Sequence, residues 1–282
     1  MLRSLFAGIS GLRTNQTMLD VTGNNIANAN TVGYKSSGTV FSDTLSQMLT
    51  AASGGSPTLG GTNPIQIGLG VQLAATNLNF NQGSAETTGR STDLMLQGDG
   101  FFVLRDGQED VYSRAGAFSF DQSGNLVAPD GKTVQGYALD ATGTATGPLV
   151  DMNLSMINGS LPAGVQLTAY SIASDGKIRG VFSDGVQRDI GQIAVANFTN
   201  PMGLQKIGDT EFRASANSGA VQLGVANQGT NGSIVAGALE MSNVDLSQEF
   251  TNLILAQRGF QASARVITTS DSVLEELVNI KR

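Results

Sequence analysis

The sequence predicts an α+β protein, with an amphipathic helix at each end of the chain and a mainly antiparallel β region between them. Three observations carry this reading. Large apolar residues recur every seven positions near both termini. The intervening chain breaks into short β-branched and aromatic runs separated by Asp-Gly and Ser-Gly pairs. Glycine is abundant, with 36 in 282 residues, while charged residues make up 14% and aromatics 6%. That mix suits short strands and turns better than a large helical enzyme.

At the N-terminus, Leu5, Leu12, Leu19 and Ile26 are spaced by seven, and Leu2 and Ile9 precede Leu5 and Leu12 by three. This is a heptad stripe on an amphipathic helix. Asn24-Asn25-Ile26-Ala27-Asn28 ends it, because Asn bonds to nearby backbone and favours caps and turns. At the C-terminus, Leu246, Leu253, Phe260, Ile267 and Leu274 repeat the seven-residue spacing. Ser242-Asn243-Val244-Asp245 offers an N-cap, and Gly259 is the one glycine in 243–282. The longest helix is therefore expected over about 245–280.

The middle reads as β. Gly100–Leu104, Val111-Tyr112, Ala117–Phe120, Leu126-Val127 and Val134–Tyr137 form one block of strand candidates, and Leu167–Ile172, Ile178–Phe182 and Ile190–Phe198 a second. Asp106-Gly107, Ser123-Gly124, Asp130-Gly131, Asp175-Gly176 and Asp184-Gly185 supply the turns. Residues 50–64 read as a flexible loop, and 138–166 as a weakly patterned one. The expected organisation is a terminal helical domain from 1–30 with 243–282, an extended linker over 31–70, and a β-rich domain over 71–242.

Composition excludes several classes of function. The net charge is −7, with no cluster of Lys and Arg of the kind that binds nucleic acid. The absence of Cys and His removes thiolate chemistry, the commonest general base and the commonest zinc ligand. No apolar run approaches the roughly 18 residues of a membrane-spanning helix, and residues 1–8 lack the apolar core of a cleaved secretory signal. Asp99 and Asp106 form the one carboxylate pair that suggests acid–base or calcium chemistry. Both sit in Asp-Gly steps, where turn formation is the better reading. No catalytic residue, cofactor, metal or small-molecule substrate is expected. Charge also follows the partition of the chain: residues 1–35 carry +2, 243–282 carry −1, and the middle −8. Near-neutral ends can pack against copies of themselves, while an acidic middle suits a solvated face. Whether the two stripes pair inside one chain or between chains stays open on periodicity alone.

Longer stretches carry a resemblance. Met1-Leu-Arg-Ser-Leu-Phe-Ala-Gly-Ile-Ser-Gly-Leu12, Asn24–Asn28 and Thr31-Val-Gly-Tyr-Lys35 resemble the start of flagellar rod and hook proteins. Asn243–Phe250, Gln257-Arg258-Gly259-Phe260 within Ala256–Ala262, and Ile267–Asp271 resemble their C-terminal signature. Gln82-Gly-Ser84, Gly98–Phe102 and Ser113–Phe118 extend the match through the middle. Within this family Gly60–Pro64, Gln66–Gly70 and the ending Glu276–Arg282 are hook-like. Residues 138–166 leave no room for the large outer domain that many hook proteins insert there.

The resemblance implies a structural subunit of the hook, a flexible tubular joint that passes torque from motor to filament, with a distal rod subunit as the alternative. It implies export through the flagellar type III apparatus without cleavage, and a place outside the cell. Expected partners are copies of itself, rod proteins, the hook cap protein and the hook–filament junction proteins. The terminal helices would line the inner tube, with Leu5, Leu12, Leu19, Ile26, Leu246, Leu253, Phe260, Ile267 and Leu274 as the polymerisation seam. The β region would form the outer layer.

Overall fold

The computed structural model describes residues 2–55, 60–107, 109–140, 143–145, 147–156 and 166–280. They form an α+β fold in two compact units. One comprises Met1–Ala27, Ser37–Leu78 and Val244–Arg282, the other Asn28–Ser36 and Asn79–Asn243.

The first unit holds both long helices, α1 (Leu2–Ala27) and α2 (Leu246–Ile280), with strands β1 (Ser37–Asp43), β2 (Ser46–Thr50), β3 (Ile65–Gly68) and β4 (Val71–Leu78). Asp245 caps α2: its Oδ1 accepts from the backbone N–H groups of Ser247 and Gln248 at 2.9 and 3.2 Å. β1 pairs antiparallel with β4, Ser37 opposite Leu78 and Asp43 opposite Val71, with a register shift at Val40/Phe41. β2 pairs with β3. The linker expected over 31–70 thus contains three paired strands. The pattern gives little sign of β2 and β3 because both are short: Ser46–Thr50 does not alternate, and Ile65-Gln-Ile-Gly68 alternates over only four residues. The expected loop over 50–64 is a hairpin end in which Ser53 and Thr62 exchange backbone hydrogen bonds at 3.0 and 3.1 Å. Its residues 56–59 lie outside the described residues.

The second unit is β. Its strands are β5 (Ala85–Thr87), β6 (Leu94–Gln97), β7 (Phe101–Asp106), β8 (Glu109–Ser113), β9 (Ser119–Phe120), β10 (Leu126–Val127), β11 (Thr133–Ala138) and β12 (Val150–Asp151). They continue with β13 (Leu167–Ile172), β14 (Lys177–Phe182), β15 (Gln187–Asn197), β16 (Gln205–Gly208), β17 (Glu211–Arg213), β18 (Gln222–Val225), β19 (Ser233–Ala236) and β20 (Ala238–Glu240). The main sheet runs β13-β14-β15-β11-β7-β8-β17-β16 with every pairing antiparallel. The tight turns use the predicted glycines, Gly107 and Gly131 at φ +62° and +89°, where a Cβ is disfavoured. Leu94, Leu96, Phe102, Leu104, Phe118, Val134, Ile193 and Val195 fill a closed core. The sheet therefore holds itself together without the helices' apolar stripes. In 138–166, β12 pairs with β11, while 141, 142, 146 and 157–165 lie outside the described residues.

Candidate assembly interface

α1 and α2 pack against each other within one chain, antiparallel and in a single register. Ser4 Oγ lies 3.3 Å from Ser270 Oγ, and Asn25 Nδ2 donates to Glu249 Oε1 at 3.0 Å. Between these ends, a Cβ on Gly8 would stand 3.0 Å from Ile267, one on Gly11 2.8 Å from Ser263 Oγ, and one on Gly259 2.5 Å from Asn15 Oδ1. In these pairs one residue number rises as the other falls, so the register holds along the helices.

The closest contacts are built from small and polar side chains: Ser4, Gly8, Gly11, Asn15 and Asn25 on α1, and Glu249, Gly259, Ser263 and Ser270 with Ile267 on α2. Small side chains at the crossing let two helices approach closely. The apolar stripe read from the sequence has the same period but a different phase. Leu5, Leu12 and Ile26 each follow a contact residue by one position, about 100° round the helix. On α2 the two coincide more closely: Leu253 stands four residues after Glu249 and Phe260 three before Ser263, so both lie along the face turned to α1. Leu5, Leu12, Leu19, Ile26, Leu253, Ile267 and Leu274 are half-buried, and Leu246 and Phe260 are exposed. Ile267 meets Gly8 directly, and Leu253, Phe260 and Leu274 stand one or two heptads from it in the same row of α2. On α1 hydropathy finds the period but is blind to a stripe of Gly, Ser and Asn, so it marks the row beside the closest contacts; on α2 it marks the row that holds Ile267.

Large apolar residues consequently stay uncovered. Phe6 is 64% exposed, Leu255 61% and Val278 68%, and Phe250, Ile254, Val266, Val273 and Leu277 are exposed as well. Along α2, Leu255, Ala262, Val266, Val273, Leu277 and Ile280 share one face, at spacings of three, four and seven. Contiguous exposed apolar area of this kind marks an interaction surface.

The motif residues Asn24–Asn28 divide in role. Asn25 is buried; its Oδ1 accepts the Ser37 N–H at 3.0 Å and its Nδ2 donates to the Ser37 carbonyl at 2.8 Å and to Glu249. It therefore ties the end of α1 to β1 and to the start of α2. Asn28 Oδ1 accepts from Thr31 Oγ1 at 3.0 Å. Ile26 flanks the contact line, while Asn24 and Ala27 are exposed. In Gln257–Phe260, Gly259 makes room for Asn15, Arg258 bonds Gln261 at 3.3 Å, and Gln257 is exposed.

The second unit contains a buried ionic cluster that sequence reading does not single out. Lys35, Arg114 and Glu240 are almost wholly enclosed. Lys35 Nζ donates to Glu240 Oε1 at 2.6 Å and to the Asn81 carbonyl at 2.9 Å. The Gly83 N–H donates to the same Oε1 at 2.9 Å, and Arg114 Nη1 stands 3.6 Å from Oε2. The Gly33 N–H closes the ring on the Glu240 carbonyl at 2.7 Å. Burial lowers the pKa of Lys35, opposed by its bond to Glu240, and burial likewise lowers that of Arg114. The one signal in the sequence is a single carboxylate, Glu240, set in an apolar stretch beside the β-rich region.

Asp99 stands two residues before β7 and Asp106 ends it, with about 16 Å of extended strand from Phe101 to Asp106 between them, so the fold does not converge them. Among the described residues no group of three or more Asp or Glu is placed to hold a metal.

Three family models match the chain. A flagella basal body rod protein model covers residues 5–35, a flagellar hook protein FlgE/F/G D1 domain model 95–180, and a flagellar basal body rod FlgEFG protein C-terminal model 235–280. The flagellar basal-body rod protein FlgG of Bacillus subtilis is 44% identical over 285 residues, covering all of both chains. The chain belongs to the flagellar rod and hook protein family. The flagellar hook protein FlgE of Borreliella burgdorferi is 31% identical over an alignment of 441 positions that spans both proteins fully. That hook relative carries residues this 282-residue chain lacks. The hook protein of Escherichia coli is 28% identical over 97% of the chain. The three matched segments each contribute one member of the buried ionic cluster: Lys35, Arg114 and Glu240. The family's sequence blocks, far apart along the chain, thus meet in one place.

Proposed function

We propose that this rod and hook family subunit works without catalysis, by polymerising into the tubular flagellar axis, and that it occupies the hook. The apolar faces of the α1–α2 pair carry the reading. The helices satisfy each other through small residues and leave Phe250, Ile254, Leu255 and Val266 exposed, a surface that copies of the chain would bury. The self-contained β core suits an outer layer around a helical tube. Rod proteins, hook cap, hook–filament junction proteins and the type III export apparatus are the partners this position implies.

Leu255→Asp tests assembly cleanly, because Leu255 is exposed and away from the helix contact line. The variant should fold like the parent, give the same circular dichroism, and fail to form tubes. Leu253→Asp is the harsher variant, since Leu253 is half-buried against the helix pair. Unchanged tube formation by both variants would refute the role given to these faces.

A second reading, a distal rod subunit, is favoured by the end-to-end match to the Bacillus subtilis rod protein, which needs no long insertion. The hook reading leans on Gly60–Pro64 and Gln66–Gly70, which here form the hairpin end and β3. Immunolocalisation on isolated hook–basal bodies separates the two: label along the curved hook supports the first, label confined to the rod the second.

A further inference from the structure

The helix register leaves one end of α2 over. Ser270 lies opposite Ser4, so residues 273–280 run past the first residue of α1. In these two turns Val273, Leu277 and Ile280 share one face, with Val278 beside them, and all four are exposed. Glu275 and Glu276 stand on the same turns.

Elsewhere in the same unit, α1 and the strand region before and within β4 enclose an open groove of about 560 Å³. Its walls include Phe6, Ile9, Arg13 and Thr17 from α1 and Val71 and Leu73 from β4, and no residue of α2 lines it. Arg13 is its one charged lining residue. Arg3 lies on the same helical face, three residues before Phe6.

The geometry points to the overhanging end of α2 from a second copy of this chain as the occupant of this groove. The proposal rests on the self-assembly reading above and names one contact within it. Length, hydropathy and charge agree. Eight helical residues span about 12 Å and the α1 wall from Phe6 to Thr17 about 16 Å. Apolar side chains meet an apolar wall, and Glu276, three residues after Val273 and four before Ile280 on the docking face, meets Arg13, an arrangement that fixes register and rejects wrong pairings.

Two experiments on the full-length chain test this. The protein has no native cysteine, so a mixture of two single-site variants, Ile9→Cys and Leu277→Cys, can form a mixed disulfide only between chains. That heterodimer should accumulate on oxidising assembled polymer, and should be absent when Leu277→Cys is mixed with Gly185→Cys. In the second experiment, Arg13→Glu and Glu276→Lys should each lower polymer yield by about tenfold or more, and the combined reversal should restore it. Polymer assembled from the two cysteine variants that forms no mixed disulfide on oxidation, or charge variants that assemble as the parent does, overturns the contact and leaves self-assembly standing. A parent chain that forms no polymer under any condition overturns both. A disulfide within one Ile9→Cys/Leu277→Cys chain, without the intermolecular product, shows that α2 folds back on its own groove and also overturns the proposal.

Discussion

Lys35 and Glu240 are separated by 205 positions in sequence and by 2.6 Å in the fold, both with fully enclosed side chains. The pair joins the segment that follows α1 to the strand that precedes α2, inside the β unit. Burying two charges is costly, and the cluster is tolerable because a lysine, an arginine and a backbone N–H share one carboxylate.

Removing the carboxylate should therefore do more harm than removing the whole pair. Glu240→Ala leaves Lys35 and Arg114 buried without their partner and should cost about 3–5 kcal/mol. Lys35→Met with Glu240→Leu should recover part of that loss. Urea denaturation followed by the fluorescence of the tyrosines reads the difference, and equal losses in the single and paired variants would count against the cluster.

The pH dependence has a defined sign. Burial holds the Lys35 ammonium below its ordinary value of 10.5. A base with a lowered folded pKa binds fewer protons folded than unfolded between the two values. Stability from this group therefore rises with pH from the folded value up to 10.5 and is flat above it. Lys35→Met should remove that part of the alkaline slope in denaturation midpoints measured across this window.

The helix pair depends on what is missing at its glycines. Gly8→Leu places a large side chain where a Cβ alone would already stand 3.0 Å from Ile267. Forcing the helices apart should cost about 1–3 kcal/mol. Hydrogen exchange should speed up along α1 and α2 while the β core keeps its protection. Gly107→Ala, at an open turn position of positive φ, serves as the control that leaves the helices unaffected.

Asn25 should be intolerant of change for a different reason. Asn25→Ala strands both the N–H and the carbonyl of Ser37 and should cost about 2–4 kcal/mol. Asn25→Asp keeps the acceptor for the Ser37 N–H but sets a second carboxylate against Glu249. It should destabilise at neutral pH and recover as the carboxyls protonate. Thermal melts at neutral and acid pH compare the two variants.

Much of this protein is legible in its amino-acid sequence. Leu246 to Leu274 mark a long helix by spacing alone, and α2 runs over Leu246–Ile280. Leu167–Ile172 matches β13, and the Asp-Gly steps at 106, 130, 175 and 184 mark turns, because periodicity and turn chemistry are local properties of the chain. Strands β2 and β3 are not legible, since β2 does not alternate and β3 alternates over only four residues, too few to separate strand from loop. Tertiary structure alone decides the rest. It chooses which face of each helix meets the other, because a seven-residue repeat reports a period and not a phase. Glycine and serine take the closest contacts in place of leucine only where two backbones come close. It also brings Lys35, Arg114 and Glu240 together, since a charge enters the interior only when its partner arrives from elsewhere in the chain, and no local signal records that meeting.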